Sequence, residues 1–218
     1  VNERHVKSIC KEILERGVNI PWACMGDVTL NYETLKLMAK SGCVGIKFGV
    51  ESIHPSTLKA IDKNFVKIER IKKFVEICED LGIWTHATYM IGLPGDTKEK
   101  ILATIKFALQ LDTDSAQFSI ATPFPGTPFF ELAKENKWLV CQDWTMFDGA
   151  NYSVVSYPHL RREEIEDLYR FASKLWWLKK KGSLISYYLR QPLTAFSDLR
   201  SLGLRRSLRM MRYVLSVL

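Results

Sequence analysis

The segment VGIKFGVES, residues 44–52, sets Val44, Ile46, Phe48 and Val50 on one side of an extended chain and Gly45, Lys47, Gly49 and Glu51 on the other. The apolar side is suited to lie against helices. The other side makes a poor core, because a lysine and a glutamate buried among side chains need partners. Two further segments divide in the same way. Residues 115–121 oppose Ala116, Phe118 and Ile120 to Ser115, Gln117 and Ser119, and residues 84–91 offer His86 and Thr88 on the matching side. Three such strands are ill suited to a doubly wound sheet, which buries both faces under helices and reads as continuous apolar runs.

Hydrophobic period places helices at about 2–16, 31–42, 55–62, 67–82, 97–111 and 126–136, and strands at 21–25, 44–50, 84–91 and 115–121. Alternation of strand and helix favours right-handed crossovers and a parallel sheet. With the polar strand faces, the expected fold class is α/β: a partial (β/α) barrel whose hollow is lined by polar groups and occupied by a ligand, with chemistry at the C-terminal strand ends. After Trp138 the pattern lapses into an irregular stretch, and helices resume from Arg161. The expected division is a barrel part over 1–158 and a helical extension over 159–218. Because the chain opens directly on an amphipathic helix, it reads as a fragment of a longer protein.

The residues at the strand ends are those a site would use. Asp27 follows the first strand, Glu51 and Ser52 the second, GLPGDT (92–97) the third and TPFPGTP (122–128) the fourth. Asp96 and Glu99 fall at the capping-box spacing, so a helix is expected to start here with its free N–H groups aimed into the turn. Such a turn can cradle an anion or a nucleoside through backbone alone. It can equally be a tight connection in which the glycines serve only the bend. Lys47, His86, Thr88, Gln117 and Ser119 are expected where a substrate or the edge of a cofactor lies, the alternative for His86 being a structural histidine bonded within the fold.

GVES (49–52), Lys63 in LKAIDKN, MIGLPGDT (90–97) and PFPGTPFFELAKENKWL (123–139) occur in this order. Together they resemble the radical S-adenosylmethionine (SAM) superfamily, in particular the class whose members often carry an N-terminal cobalamin-binding domain. The resemblance runs from the first helix to about Pro158 and implies that the strands here are the third to sixth of the family's partial barrel. It implies that Glu51, with Ser52 beside it, contacts the ribose or amino-acid part of SAM. Gly92, Leu93, Pro94 and Gly95 are then the backbone that passes the adenine, and Thr122, Pro123 and Phe124 its neighbours from the following loop. The superfamily holds a [4Fe–4S] cluster on a CxxxCxxC loop, three thiolates leaving one iron open to SAM. No such triplet occurs here. The resemblance therefore implies that the cluster ligands, and any cobalamin domain, lie outside this chain, and that the chain alone is inactive. For the full-length protein it implies reductive cleavage of SAM to methionine and a 5′-deoxyadenosyl radical, followed by methylation or rearrangement of an unactivated carbon on a small or lipid-like substrate. Two other readings stand beside it: a non-catalytic half-barrel for nucleotide binding or interaction, and a barrel enzyme with GLPGDT as its phosphate loop.

The net charge of +7 is misleading until it is located. Residues 175–218 hold nine Lys and Arg against the single Asp198, which more than accounts for it. The rest of the chain needs no polyanion to explain it, and no nucleic-acid module accompanies the charge. Trp176, Trp177, Tyr187 and Tyr188 interleave with Lys179 to Lys181 and with the arginines from Arg205 to Arg212. That pattern describes either a helix lying in the headgroup region of an anionic bilayer or helices packed on the barrel under their own arginine stems. Five scattered cysteines, without CxxC spacing, argue for reduced thiols and a cytoplasmic setting, on the inner face of the membrane if the tail makes contact there.

Overall fold

The computed structural model describes residues 2–190 except 62 and 64–66. It divides into two compact units, the first ending at Lys174 and the second beginning at Leu175. The first unit carries a four-stranded sheet of β1 (Trp22–Met25), β2 (Cys43–Glu51), β3 (Trp84–Ile91) and β4 (Ser115–Ile120) in the order β1-β2-β3-β4. Every pairing is parallel. Helices α1 (Glu3–Glu15), α2 (Tyr32–Lys40), α3 (Pro55–Lys59), α4 (Ile68–Asp80), α5 (Lys98–Leu111) and α6 (Pro128–Glu135) alternate with the strands, and α7 (Arg162–Arg190) follows the irregular stretch. This is the expected α/β architecture.

Local chemistry sets the helix starts. Asn2, Asn31 and Thr127 accept from the backbone N–H three residues on, at 3.2, 2.9 and 3.2 Å, which satisfies a donor the helix leaves free. Arg70 of α4 reaches the loop after β1 and donates to the carbonyls of Val28, Thr29 and Leu30 at 2.9, 2.6 and 3.1 Å. One side chain thereby ties α4 to the segment that leaves the strand carrying Met25.

The two strand faces differ as their alternation predicts. Ile46, Phe48 and Val50 of β2, Thr85, Ala87, Tyr89 and Ile91 of β3, and Phe118 and Ile120 of β4 are buried. Phe48 meets Phe74 of α4 edge to face at 5.1 Å between ring centres, and Tyr89 stacks on Phe118 at 5.2 Å. Val44 departs from the expectation, being half exposed, while Cys43 before it is buried. The register slips between Trp22 and Ala23 at this point, so the pairing steps over Val44 and the alternation is offset by one residue.

Among the described residues no helix is long and apolar enough to cross a membrane. The expectation for the arginines from Arg205 to Arg212 falls outside the described residues. Within the second unit, Lys179 and Lys180 lie over Trp176 at 5.9 and 5.1 Å and Lys181 over Trp177 at 4.5 Å.

Phe48 tests whether the apolar face holds the sheet on its helices. Phe48→Ala is expected to cost about 3–5 kcal/mol, seen as a lower urea midpoint with an unchanged slope.

Candidate functional site at the strand ends

Parallel pairing sends all four strands out at one edge, so the segments that follow neighbouring strands are neighbours there. Glu51 and Ser52 leave β2, Gly92–Gly95 leave β3, and Thr122–Phe124 leave β4. The last two are tied directly, since the Ala121 N–H donates to the Ile91 carbonyl at 2.8 Å.

Glu51 stands in the left-handed region at φ 60°, and the pairing of β2 with β3 shifts between Gly49 and Glu51. The slip turns the Glu51 side chain back over Gly49 on the polar face. A Cβ on Gly49 would run into the Glu51 carboxylate and lie 3.0 Å from the Lys63 ammonium. Glycine is required there so that the carboxylate can occupy the space. Lys63 Nζ donates to Glu51 Oε1 at 2.9 Å, which leaves the second carboxylate oxygen for another donor. Ser52 is buried, and its hydroxyl accepts the His54 N–H at 3.2 Å, so it faces its own turn.

The GLPGDT turn is held from inside. Helix α5 is capped by Thr97, whose hydroxyl accepts the Lys100 N–H at 3.4 Å, so the expected Asp96–Glu99 capping box does not form. The Asp96 carboxylate points inward and accepts the N–H groups of Gly92 at 3.2 Å and Leu93 at 3.0 Å. These two turn amides are already satisfied from within the fold. Tyr157 donates its hydroxyl to the Gly92 carbonyl at 2.8 Å, and His159 Nε2 lies 2.9 Å from the Asp96 carbonyl. Gly92, at φ 84°, could not carry a side chain without meeting Ile165 at 2.9 Å. Leu93 and Pro94 are buried, whereas Gly95 is exposed and opens on free space. The turn therefore offers a surface of fixed shape rather than a set of free donors. In the loop after β4, Pro123 is buried, Thr122 donates its hydroxyl to the Ile120 carbonyl at 3.2 Å, and Phe124 is half exposed.

The remaining expected residues share the polar face. Lys47 pairs in register with His86, which pairs with Ser115, and Gly49, Thr88 and Gln117 form the next row. Lys47 Nζ donates to Gln117 Oε1 at 3.1 Å, and Gln117 Nε2 donates to Ser119 Oγ at 3.1 Å. His86 Nδ1 lies 2.8 Å from Ser115 Oγ, and Thr88 donates to the Phe48 carbonyl at 3.4 Å. Burial, together with the Lys47 ammonium, lowers the His86 pKa below its usual value.

Asp96, Tyr157 and His159 are not legible in the sequence as residues that hold this turn. The first was masked by a spacing that also fits a cap. The other two sit in the irregular stretch, where no period marks them, although Ser153, Val154, Val155, Tyr157 and Leu160 are all buried there.

SAM and an iron–sulfur cluster fare differently against these residues. The hollow at Gly49 filled by a carboxylate with a spare oxygen suits the hydroxyls of an adenosyl group. The thiols do not suit a cluster. Among the described residues no three metal-ligating side chains gather at a common point. Cys24, in register with Ile46, belongs to the helix-facing side of β1, where its hydrogen bond with Cys43 lowers its pKa to about 7. No step is assigned to a cluster on this chain.

Burial pushes the Asp96 carboxyl up to about 6 from 3.8, against the opposing pull of the Leu93 and Gly92 N–H groups. Between those values the native fold keeps a proton that the unfolded chain has lost, so stability falls as pH rises through that window. Asp96→Asn is expected to remove this part of the slope between about pH 4 and 6 in urea titrations. An unchanged slope would contradict the buried carboxyl.

Residues 3–108 match the sequence profile of the Radical SAM superfamily. An uncharacterised methyltransferase of Pyrococcus horikoshii is 34% identical over 182 residues, covering 83% of this chain and 39% of the relative. The anaerobic magnesium-protoporphyrin IX monomethyl ester cyclase of Cereibacter sphaeroides is 27% identical over 161 residues, covering 72% of this chain and 25% of the cyclase. The radical SAM methyltransferase TsrM of Kitasatospora setae, solved with cobalamin and a [4Fe–4S] cluster, superposes with a TM-score of 0.57 at 24% identity over 62% of this chain and 29% of its own. That likeness concerns the fold. The chain spans well under half the length of each of these proteins. On the profile match over residues 3–108 and the sequence relatives, the chain belongs to the radical SAM superfamily.

Proposed function

We propose that this chain forms the SAM-binding side of the barrel of a radical SAM methyltransferase or cyclase acting on an unactivated carbon. The observation that carries the reading is the meeting of Glu51, Gly92–Gly95 and the Thr122–Phe124 loop at one edge of a parallel sheet. In this reading the free oxygen of Glu51 accepts from the ribose hydroxyls while Lys63 holds the carboxylate in place. Gly95 and the fixed GLPG backbone bound the adenine on one side, and Thr122, Pro123 and Phe124 on the other. SAM, when bound with a reduced iron–sulfur cluster, supplies radical chemistry at a C–H bond. Nothing in this chain is assigned to the cluster or to cobalamin.

The substrate then lies over the polar face, beyond the strand ends. Apolar surface is available on that face, where Met25, in register with Lys47, and Trp84, at the start of β3, are 78% and 64% exposed. This supports a substrate with a sizeable apolar part, in keeping with a relative named for a magnesium-protoporphyrin ester. The role of the protein is to orient the two molecules so that the reacting carbon faces the adenosyl group, and to keep water from the gap between them.

SAM titrated calorimetrically into the chain provides the test. Glu51→Ala is expected to weaken binding roughly tenfold, the size of a lost hydrogen bond to a charged group. Undiminished binding in that variant would take Glu51 out of the site.

A further inference from the structure

Among the described residues, the polar face holds a charge for which no ion pair is formed. Lys47 stands in the middle of β2, half-buried, between Met25 of β1 and His86 of β3. Its recorded partner among the described residues is the neutral amide of Gln117, at 3.1 Å. An ammonium group carries three donors, so two remain for something else. The carboxylate nearest along the same strand, Glu51, is held by Lys63 at 2.9 Å.

The surroundings keep Lys47 in place rather than neutralise it. Gln117 accepts from Lys47 with its oxygen, and its nitrogen is committed to Ser119 at 3.1 Å, so the amide cannot turn away without losing a second bond. His86 is steadied by Ser115 at 2.8 Å and feels the lysine charge, which favours its neutral form. A neutral imidazole beside a fixed ammonium gives a site that attracts an anion. A lysine serving only solubility would gain nothing from this framework, and an exposed lysine loses rotamer entropy when it is held.

We propose that Lys47, braced by Gln117, recognises an anionic group, a carboxylate or a phosphate, on the molecule that occupies the polar face beside the adenosyl site. The inference deepens the proposed function and rests on its placing the substrate over this face. The ligand's anion meets Lys47, and its apolar part extends toward Trp84 and Met25.

Inorganic phosphate and acetate, each titrated at constant ionic strength into the isotope-labelled chain, test it through the imidazole resonances of His86. The expected result is a saturable shift with at least one of the two anions in the wild type and in Lys47→Arg, weakened about tenfold or more in Lys47→Met. The Lys47→Met variant alone should also raise the His86 titration midpoint, which shows that it is folded with the pair adjacent. A linear drift in the wild type, or a saturable shift surviving in Lys47→Met, overturns the proposal. SAM added to the same samples and followed at the Gly95 amide separates the two claims. Loss of that response with the anion response intact defeats the SAM reading alone, whereas a Lys47→Met variant that loses SAM but keeps phosphate or acetate assigns the lysine to the cofactor and defeats this one.

Discussion

Shifting β3 by one residue against β2 would drive His86 and Thr88 under the helices and turn Ala87 and Tyr89 outward. The cost is set by the apolar face, where Phe48, Phe74, Tyr89 and Phe118 interlock through aromatic contacts at 5.1 and 5.2 Å. That packing fixes the register, and the register decides which side chains line the polar face and which backbone emerges at its edge. The site thus inherits its geometry from a core that makes no contact with a ligand.

Precision at the edge comes from a second set of contacts. The GLPG turn is bonded to the Asp96 carboxylate within its own loop and to the Tyr157 hydroxyl, and His159 holds the Asp96 carbonyl, both from the stretch after β4. A carboxylate satisfying two amides from inside the protein removes them from use by a ligand, and it also removes the freedom of the turn to move. What the turn presents outward is a fixed shape, with Gly95 as its open point. At β2 the logic is reversed: a register slip and a glycine create room for Glu51, whose charge is held by Lys63 but not used up. One strand end is preorganised by exhausting its polar groups and the next by reserving one.

Much of this was legible from pattern alone. Period-two alternation marked the polar faces of β2, β3 and β4 because half-buried strands must alternate, and strand–helix alternation gave the parallel sheet. The strand-end motifs carry the resemblance to the radical SAM superfamily. Val44 was misplaced because a register slip leaves no compositional mark. Asp96 was read as a cap because Asp and Thr are both good caps, and only the fold decides which of two adjacent residues turns outward. Tyr157 and His159 were invisible because they sit in an irregular stretch that no period describes, 65 and 63 residues after their partners Gly92 and Asp96 in the GLPGDT turn.

In the proposed function, three segments far apart in sequence form one adenosyl-sized surface. Amide hydrogen exchange of the chain with and without saturating SAM measures this directly. Concerted slowing in residues 49–52, 92–96 and 121–124, with no change at the opposite sheet edge around 41–43 and 82–84, is the predicted result. Protection confined to one of the three segments, or appearing at the opposite edge, would contradict it.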